Sequence, residues 1–323
     1  MFDRLVFWLV NSFTYMRHPL NIARFRSTVG YFPNVARPKR YNEKMLWRKI
    51  FDHNPLFVAF SDKLATKALQ ADRCRELRIL PVLWVGSSAS TIPQDLLSKP
   101  VAVKANHGCG YSFFSRPGAA ATQLPVNQIN GWLKKSYGRG RLEWAYQFAE
   151  RKIYVEELII ASQDRPLIDI SVHASDRTPL FIEAIVGNKT ENQQKAYFKP
   201  DGTRLWELEK KPAAGNHNPP LPADFQLPAT YVEALNHTRR LSLGVDYARF
   251  DFLSTADRLY AGEITVYPGS GLTKHVEFST YNKYLAERWD LSKSWFLSSR
   301  HGRIRQIYAD ALHRHLKQKQ ELG

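Results

Sequence analysis

Apolar positions in this chain recur in two rhythms. Alternation runs through "PLIDISVHAS" (166–175), "TPLFIEAIVG" (178–187), "YARFDFL" (247–253) and "LYAGEITV" (259–266). Period-two patterning predicts strands, and the polar links "SDRT" and "STADR" predict two hairpins. "VAVK" (101–104) and "KIYVEELII" (152–160) read as further strands, and "ILPVLWVG" (79–86) as a strand pair broken at Pro81. Helical spacing appears in "SDKLATKALQADRCREL" (61–77), with apolar positions at 64, 65, 68, 69 and 77 and Ser61 as the expected N-cap. Residues 1–60, punctuated by Pro33, Pro38 and Pro55, also read as helical, as does 125–150. So does "TYVEALNHTRRLSLG", closed by Gly244 as C-cap. The polar, Pro-rich stretch 210–228 reads as an irregular excursion. Helices mixed with antiparallel hairpins, and no run of βαβ crossovers, define an α+β fold.

Composition narrows the function classes. At 323 residues, with 44% hydrophobic and 13% aromatic residues, the chain is globular rather than disordered or fibrous. Its net charge of +16 attracts polyanions: nucleic acid, anionic lipid or acidic substrates. No zinc-finger or RNP-like spacing supports nucleic acid, which also predicts aromatic stacking platforms among the basic residues. The two cysteines, Cys74 and Cys109, are too few for a disulfide framework and fit a reducing cytoplasm. Near the amino terminus the apolar run Leu5–Val10 falls far short of the roughly 20 residues of a spanning helix. Its Phe, Trp and Leu residues with Arg4, Arg17, Arg24 and Arg26 suit peripheral contact with an anionic membrane, although a helix packed on its own domain is the reading the sequence favours.

The candidate chemistry sits on the last hairpin. Alternation puts Arg249, Asp251 and Leu253 on one face, and Glu263 and Thr265 on one face of the next strand. If these strands pair, Asp251 and Glu263 reach a common ion. Two hard carboxylates suit Mg²⁺, and Arg249 beside them suits a phosphoryl oxygen. A plain cross-strand polar pair fits the same pattern. Upstream, "KANHGCGYS" (104–112) places Lys104 at a strand end before a glycine loop, and Lys63 opens a helix. The loop lacks the G-x-x-x-x-G-K-[ST] spacing of a P-loop, zinc-ligand spacing is absent, and Cys109 has no identifiable base.

Taken in order, "SDKLATK", "VAVKANHGCG", "YVEELI", "RFDF" and "GEITVYPGSG" resemble the ATP-grasp fold. With "RPKRYNEKMLWRKI" (37–50), the chain is similar to the TupA-like branch, associated with bacterial cell-surface polysaccharide biosynthesis. The resemblance runs over about residues 37–275. It implies two α+β subdomains clasping ATP: 61–157 with the glycine loop and 158–290 with the Mg²⁺ site. A helical region, 1–60, precedes them and a basic C-terminal helix, 291–323, follows.

The resemblance implies that Lys63 and Lys104 hold the ATP phosphates and that the flap Asn106, His107, Gly108 and Gly110 folds over them. It implies that Glu156, Glu157 and Leu158 read the adenine, and that Arg249 contacts the transferred phosphoryl group. Asp251 and Glu263 match the Mg²⁺ carboxylates, with Thr265 where many relatives have Asn. Ser171 replaces a family lysine, whose contact is either missing or supplied by Lys189 or Lys195. His107 reads equally as a phosphate ligand or as loop packing, while His217 and His275 are candidates for an acceptor pocket. The implied activity is amide formation through an acyl-phosphate, between a carboxylate sugar or glycan acceptor and an amino acid or amine. The rivals are a glycosyltransferase-like polysaccharide enzyme, whose usual Asp-x-Asp is absent, and a basic nucleic-acid-binding protein.

Overall fold

The computed structural model describes residues 1–115, 124–160, 167–188, 190–209, 219–255, 257–272 and 280–321. Four helices open the chain: α1 (Phe2–Arg17), α2 (Pro19–Val29), α3 (Tyr41–Phe51) and α4 (Leu56–Ser61). Next comes α5 (Lys63–Arg73), which bridges the two sheets. Asp62, not Ser61, caps α5, accepting from the N–H groups of Leu64 and Ala65 at 2.9 and 3.3 Å. A carboxylate meets the helix dipole better than a hydroxyl, and Ser61 is spent ending α4.

The first sheet is antiparallel, in the order β1 (Val82–Gly86), β4 (Ile153–Glu157), β2 (Val101–Ala105), β3 (Ser112–Ser115). "ILPVLWVG" yields only β1, and β3 was not expected. The glycine loop is therefore the turn of a β2–β3 hairpin, closed by Ala105 N–H to Tyr111 O at 3.1 Å. The short helix α6 (Gln94–Leu97) precedes β2. Within 125–150 only α7 (Val126–Trp132) is α-helical; two 3₁₀ turns follow, broken up by left-handed Gly138 and Leu142. Ile129 and Trp132 of α7 pack on Val103, Ile153 and Val155 to make a core of their own.

The second sheet has the order β7 (Gln194–Phe198), β6 (Thr178–Val186), β5 (Ile168–Ser175), β8 (Ala248–Ser254), β9 (Leu259–Thr265). Both expected hairpins form. Asp176 and Arg177, with φ of 36° and 67°, make the first turn a left-handed pair, as the twist of a tight hairpin requires. Edge strand β7 was not expected. Much of the 210–228 excursion lies outside the described residues. The α8 helix (Trp206–Glu209) follows β7, and α9 (Tyr231–Leu241) packs on β5. Ser242, not Gly244, is the C-cap of α9. Gly244 instead turns the chain at φ +80° and offers its carbonyl to Asn54 at 2.9 Å.

After β9 come α10 (Thr280–Arg288), α11 (Trp295–Ser298) and α12 (Arg303–Glu321). The opening helices, the second sheet and α12 share one continuous core. The "NEK" of α3 fastens it. Asn42 donates to Gly271 O at 2.7 Å, Glu43 accepts from the N–H groups of Asn34, Lys39 and Arg40, and Lys44 donates to Ala286 O and Trp289 O. These buried bonds lock α3 to the "PGSG" turn and to α10. Among the described residues no helix is long and apolar enough to cross a membrane.

Candidate nucleotide site

The site gathers around α5, between the two sheets. Residues 63, 67 and 70 share one face of this helix, at i, i+4 and i+7. Lys63 donates to Gly108 O in the glycine loop and stands 3.5 Å from Glu263 of β9. One turn on, Lys67 is 2.8 Å from Glu156 of β4 and donates to Leu80 O. Lys104, one residue before the end of β2, meets the other oxygen of Glu156 at 2.5 Å. Buried Gln70 then donates to Gly262 O at 2.9 Å. One helix thus ties the glycine loop of the first sheet to the acidic hairpin of the second.

That hairpin carries a bulge. Phe252 pairs with Ala261 and Phe250 with Ile264, so Asp251 alone faces both Gly262 and Glu263. A Cβ on Gly262 would lie 2.4 Å from Asp251 O, so only glycine fits there. Arg249 grips both oxygens of Asp251, Nε to Oδ1 at 2.7 Å and Nη2 to Oδ2 at 2.8 Å, and reaches Thr265 Oγ1 at 3.4 Å. Ser171, on β5 directly opposite Asp251, also donates to Oδ1 at 2.7 Å. Burial disfavours the charge of Arg249, but Asp251 and Glu183 outweigh it and hold its pKa above the ordinary value.

Beyond Ser171 the polar row continues to Glu183 on β6, which binds Lys195 at 2.9 Å and faces His173 at 3.8 Å. Burial pushes the Glu183 carboxyl up, yet Lys195, His173 and Arg249 together bring it well below the usual range. Glu183 is thus a fixed anion. Lys195 reaches the sheet face from the neighbouring strand, whereas Lys189, His217 and His275 lie outside the described residues.

The loop residues divide by direction. Asn106 is buried, donating to Glu150 O at 2.8 Å and accepting from Lys152 N–H at 2.8 Å, so it anchors the base of the loop. His107 is 1% exposed, with its ring 5.7 Å from that of Tyr111, and burial lowers its pKa. Its ring therefore packs behind the loop rather than on its surface. Gly108 and Gly110, at φ +77° and +79°, turn the backbone around exposed Cys109. Glu156 is turned to the two lysines. The backbone N–H groups of Glu157 and Leu158 are already given to Pro81 O and Pro100 O, at 3.3 and 3.1 Å. Lys67, Gly262 and Glu183 were not singled out from the sequence, although Lys67 stands at i+4 from Lys63 and Gly262 breaks an alternating run.

ATP and Mg²⁺ fit this donor set. Lys63 reaches the loop of left-handed glycines, Lys67 and Lys104 meet at Glu156 next to it, and across α5 Asp251, Glu263 and Thr265 offer hard oxygens beside Arg249. Among the described residues no group of three or more His, Cys, Asp or Glu gathers as a metal cluster.

The model of the TupA-like ATP-grasp family matches residues 43–288. The chain belongs to that family. No curated protein matches it. Among solved structures it is similar to D-alanine–D-alanine ligase from Bacillus anthracis at 15% identity and a TM-score of 0.37, covering 83% of this chain and 72% of that one. It is also similar to the ATP-grasp ligase PsnB complexed with a phosphomimetic variant of its minimal precursor, Mg and ADP (13%, TM-score 0.38), over 81% of this chain and 60% of that one. A RimK domain ATP-grasp protein from Sphaerobacter thermophilus DSM 20745 matches at 12% and 0.37, over 78% and 67%. The chain spans only 54% of PsnB in its complex with the minimal precursor.

Proposed function

We propose that the protein is an ATP- and Mg²⁺-dependent carboxylate–amine ligase acting through an acyl-phosphate. It joins an amino acid or other amine to a uronic-acid-type carboxylate in cell-surface polysaccharide biosynthesis. The supporting observation is the convergence on α5 of the glycine loop, the Lys63, Lys67 and Lys104 cations and the Arg249–Asp251–Glu263 bulge. The subdomains 61–157 and 158–290 act as two jaws, with 1–60 and 291–323 bracing the second.

Each residue has a task in this reading. At rest, Lys63 and Arg249 pair with Glu263 and Asp251, while Lys67 and Lys104 share the single carboxylate of Glu156, which leaves one positive charge in excess. Lys63, Lys104 and Arg249 turn to phosphate oxygens when the nucleotide is bound, and their charges oppose the negative charge that grows during phosphoryl transfer. Asp251 and Glu263, with Thr265 beside them, would hold Mg²⁺, which would supply Lewis-acid neutralisation when bound. The backbone of Gly108–Gly110 covers the phosphates and excludes water, which protects an acyl-phosphate from hydrolysis. Lys195, fixed by Glu183, takes over the contact that Ser171 lacks. The net positive surface attracts an acidic glycan.

The test is ADP release from Mg-ATP by purified protein over a panel of uronic acids paired with amino acids. A pair-dependent burst of ADP with a new amide in the mass spectrum is expected. ADP release requiring no amine, or sugar transfer without ADP, would overturn the ligase reading.

A further inference from the structure

Helix α1 has two apolar faces and the fold uses one of them. Val6, Phe7 and Thr14 are buried, with the Phe7 ring 6.5 Å from Tyr308 and 5.7 Å from His315 of α12. Asp3 secures this docking through Arg314 at 2.7 Å. The other face carries Phe2, Leu5, Leu9, Phe13 and Met16, whose three- and four-residue spacing aligns them in one stripe. All five are between 51% and 73% exposed. At about 1.5 Å per residue the stripe runs some 20 Å.

Beside it lies a groove of about 860 Å³ between α1 and the segment after α2, lined by Arg4, Trp8, Tyr15, Asn34 and Arg37. Asn11 fixes the far wall by accepting from Val35 N–H at 2.9 Å. Trp8, 64% exposed, also borders this groove. Within residues 1–40 seven Lys and Arg stand against the single acid Asp3, which is already paired.

We propose that α1 docks on an anionic lipid bilayer, its stripe entering the acyl boundary while Arg4 and Arg37 take a headgroup phosphate in the groove. The charge decides the occupant. A second copy would bring the same positive surface against itself, whereas an anionic bilayer offers an apolar layer under negative charge along the whole helix. Exposed aromatic rings suit the interface between headgroups and chains. The inference is independent of the ligase reading, because α1 supplies none of the residues assigned to the nucleotide. ADP release from soluble substrates does not depend on it.

The full chain is sedimented with phosphatidylcholine vesicles alone and with vesicles containing about one third phosphatidylglycerol. Binding to the anionic vesicles only is expected, weakening with added salt. Quenching of fluorescence by brominated lipid, lost in Trp8→Phe, is expected to place Trp8 at the interface. The double variant Leu9→Glu with Phe13→Glu changes only exposed positions. It is expected to lower partitioning at least about tenfold with an unchanged circular-dichroism spectrum. Absence of wild-type binding to anionic vesicles, or equal binding by the double variant, overturns the proposal. So does a homodimer in sedimentation velocity that the double variant dissolves, because a second copy then covers the stripe.

Discussion

Asp251 shows how much a single residue here depends on its neighbours. Both of its oxygens are taken, by Arg249 and by Ser171, before any ligand is considered. Asparagine keeps the shape but loses the charge that holds Arg249 and would hold a cation. Asp251→Asn is therefore expected to lower ADP production at least about 100-fold while the circular-dichroism spectrum stays unchanged. Wild-type turnover by this variant would remove Asp251 from the site. Alternation was enough to put Arg249 and Asp251 on one face from sequence alone. The inward turn of Asn106 and His107 was not legible in the same way, because a glycine loop has no period to fix side-chain direction. Lys67 was readable in principle, but a lysine on a helix face is usually a solvated charge.

Among elements, the β9 bulge carries the most information. Leu259 and Ala261 are buried in one phase, Ile264 and Val266 in the opposite phase, so the apolar pattern slips by one residue at Gly262. Only an inserted residue reconciles the two halves of the strand with a single core. The slip is present in "LYAGEITV", yet plain alternation reads over it. Gly262→Ala drives a methyl group into the Asp251 carbonyl and is expected to cost about 1–3 kcal/mol in urea unfolding. An unchanged midpoint would mean that the bulge opens freely. The hairpins β5–β6 and β8–β9 were legible from their turns and patterning. By contrast β3 is four residues long behind a glycine loop, and β7 is an edge strand inside a polar stretch, where periodicity has too few positions to register. The 125–150 segment looked continuous because its breaks are set by backbone angles, which composition shows only weakly.

At the scale of the molecule, a buried polar network joins α3 to the segment leading into β8 and to the C-terminal helices. Arg48 and Asp246, both 0% exposed, pair at 2.7 Å, and Trp289 Nε1 donates to Asp246 at 2.6 Å. Asp52 accepts from Phe296 N–H at 2.8 Å, while its Oδ2 has no hydrogen-bond partner among the described residues. Burial, and then the nearby Asp246, push the Asp52 carboxyl from 3.8 to about 8. A folded pKa above the unfolded one means that the fold favours the neutral acid. The contribution is complete below about pH 4 and is lost as pH rises towards 8. Urea unfolding of the wild type is expected to show stability falling over that window relative to Asp52→Asn, whose neutral amide does not titrate. Parallel profiles would refute the assignment.

The anchored loop has a consequence for binding energy. Its ends are closed by the Ala105–Tyr111 bond, its base is pinned by Asn106 and its middle is strapped by Lys63. Once Lys63 releases Gly108 O, only Gly108, Cys109 and Gly110 are left to rearrange. At about 1–2 kcal/mol of conformational entropy per residue, ordering them costs only a few kcal/mol. A long lid would consume several times as much, so under the ligase reading most of the nucleotide's affinity would remain for holding the phosphates.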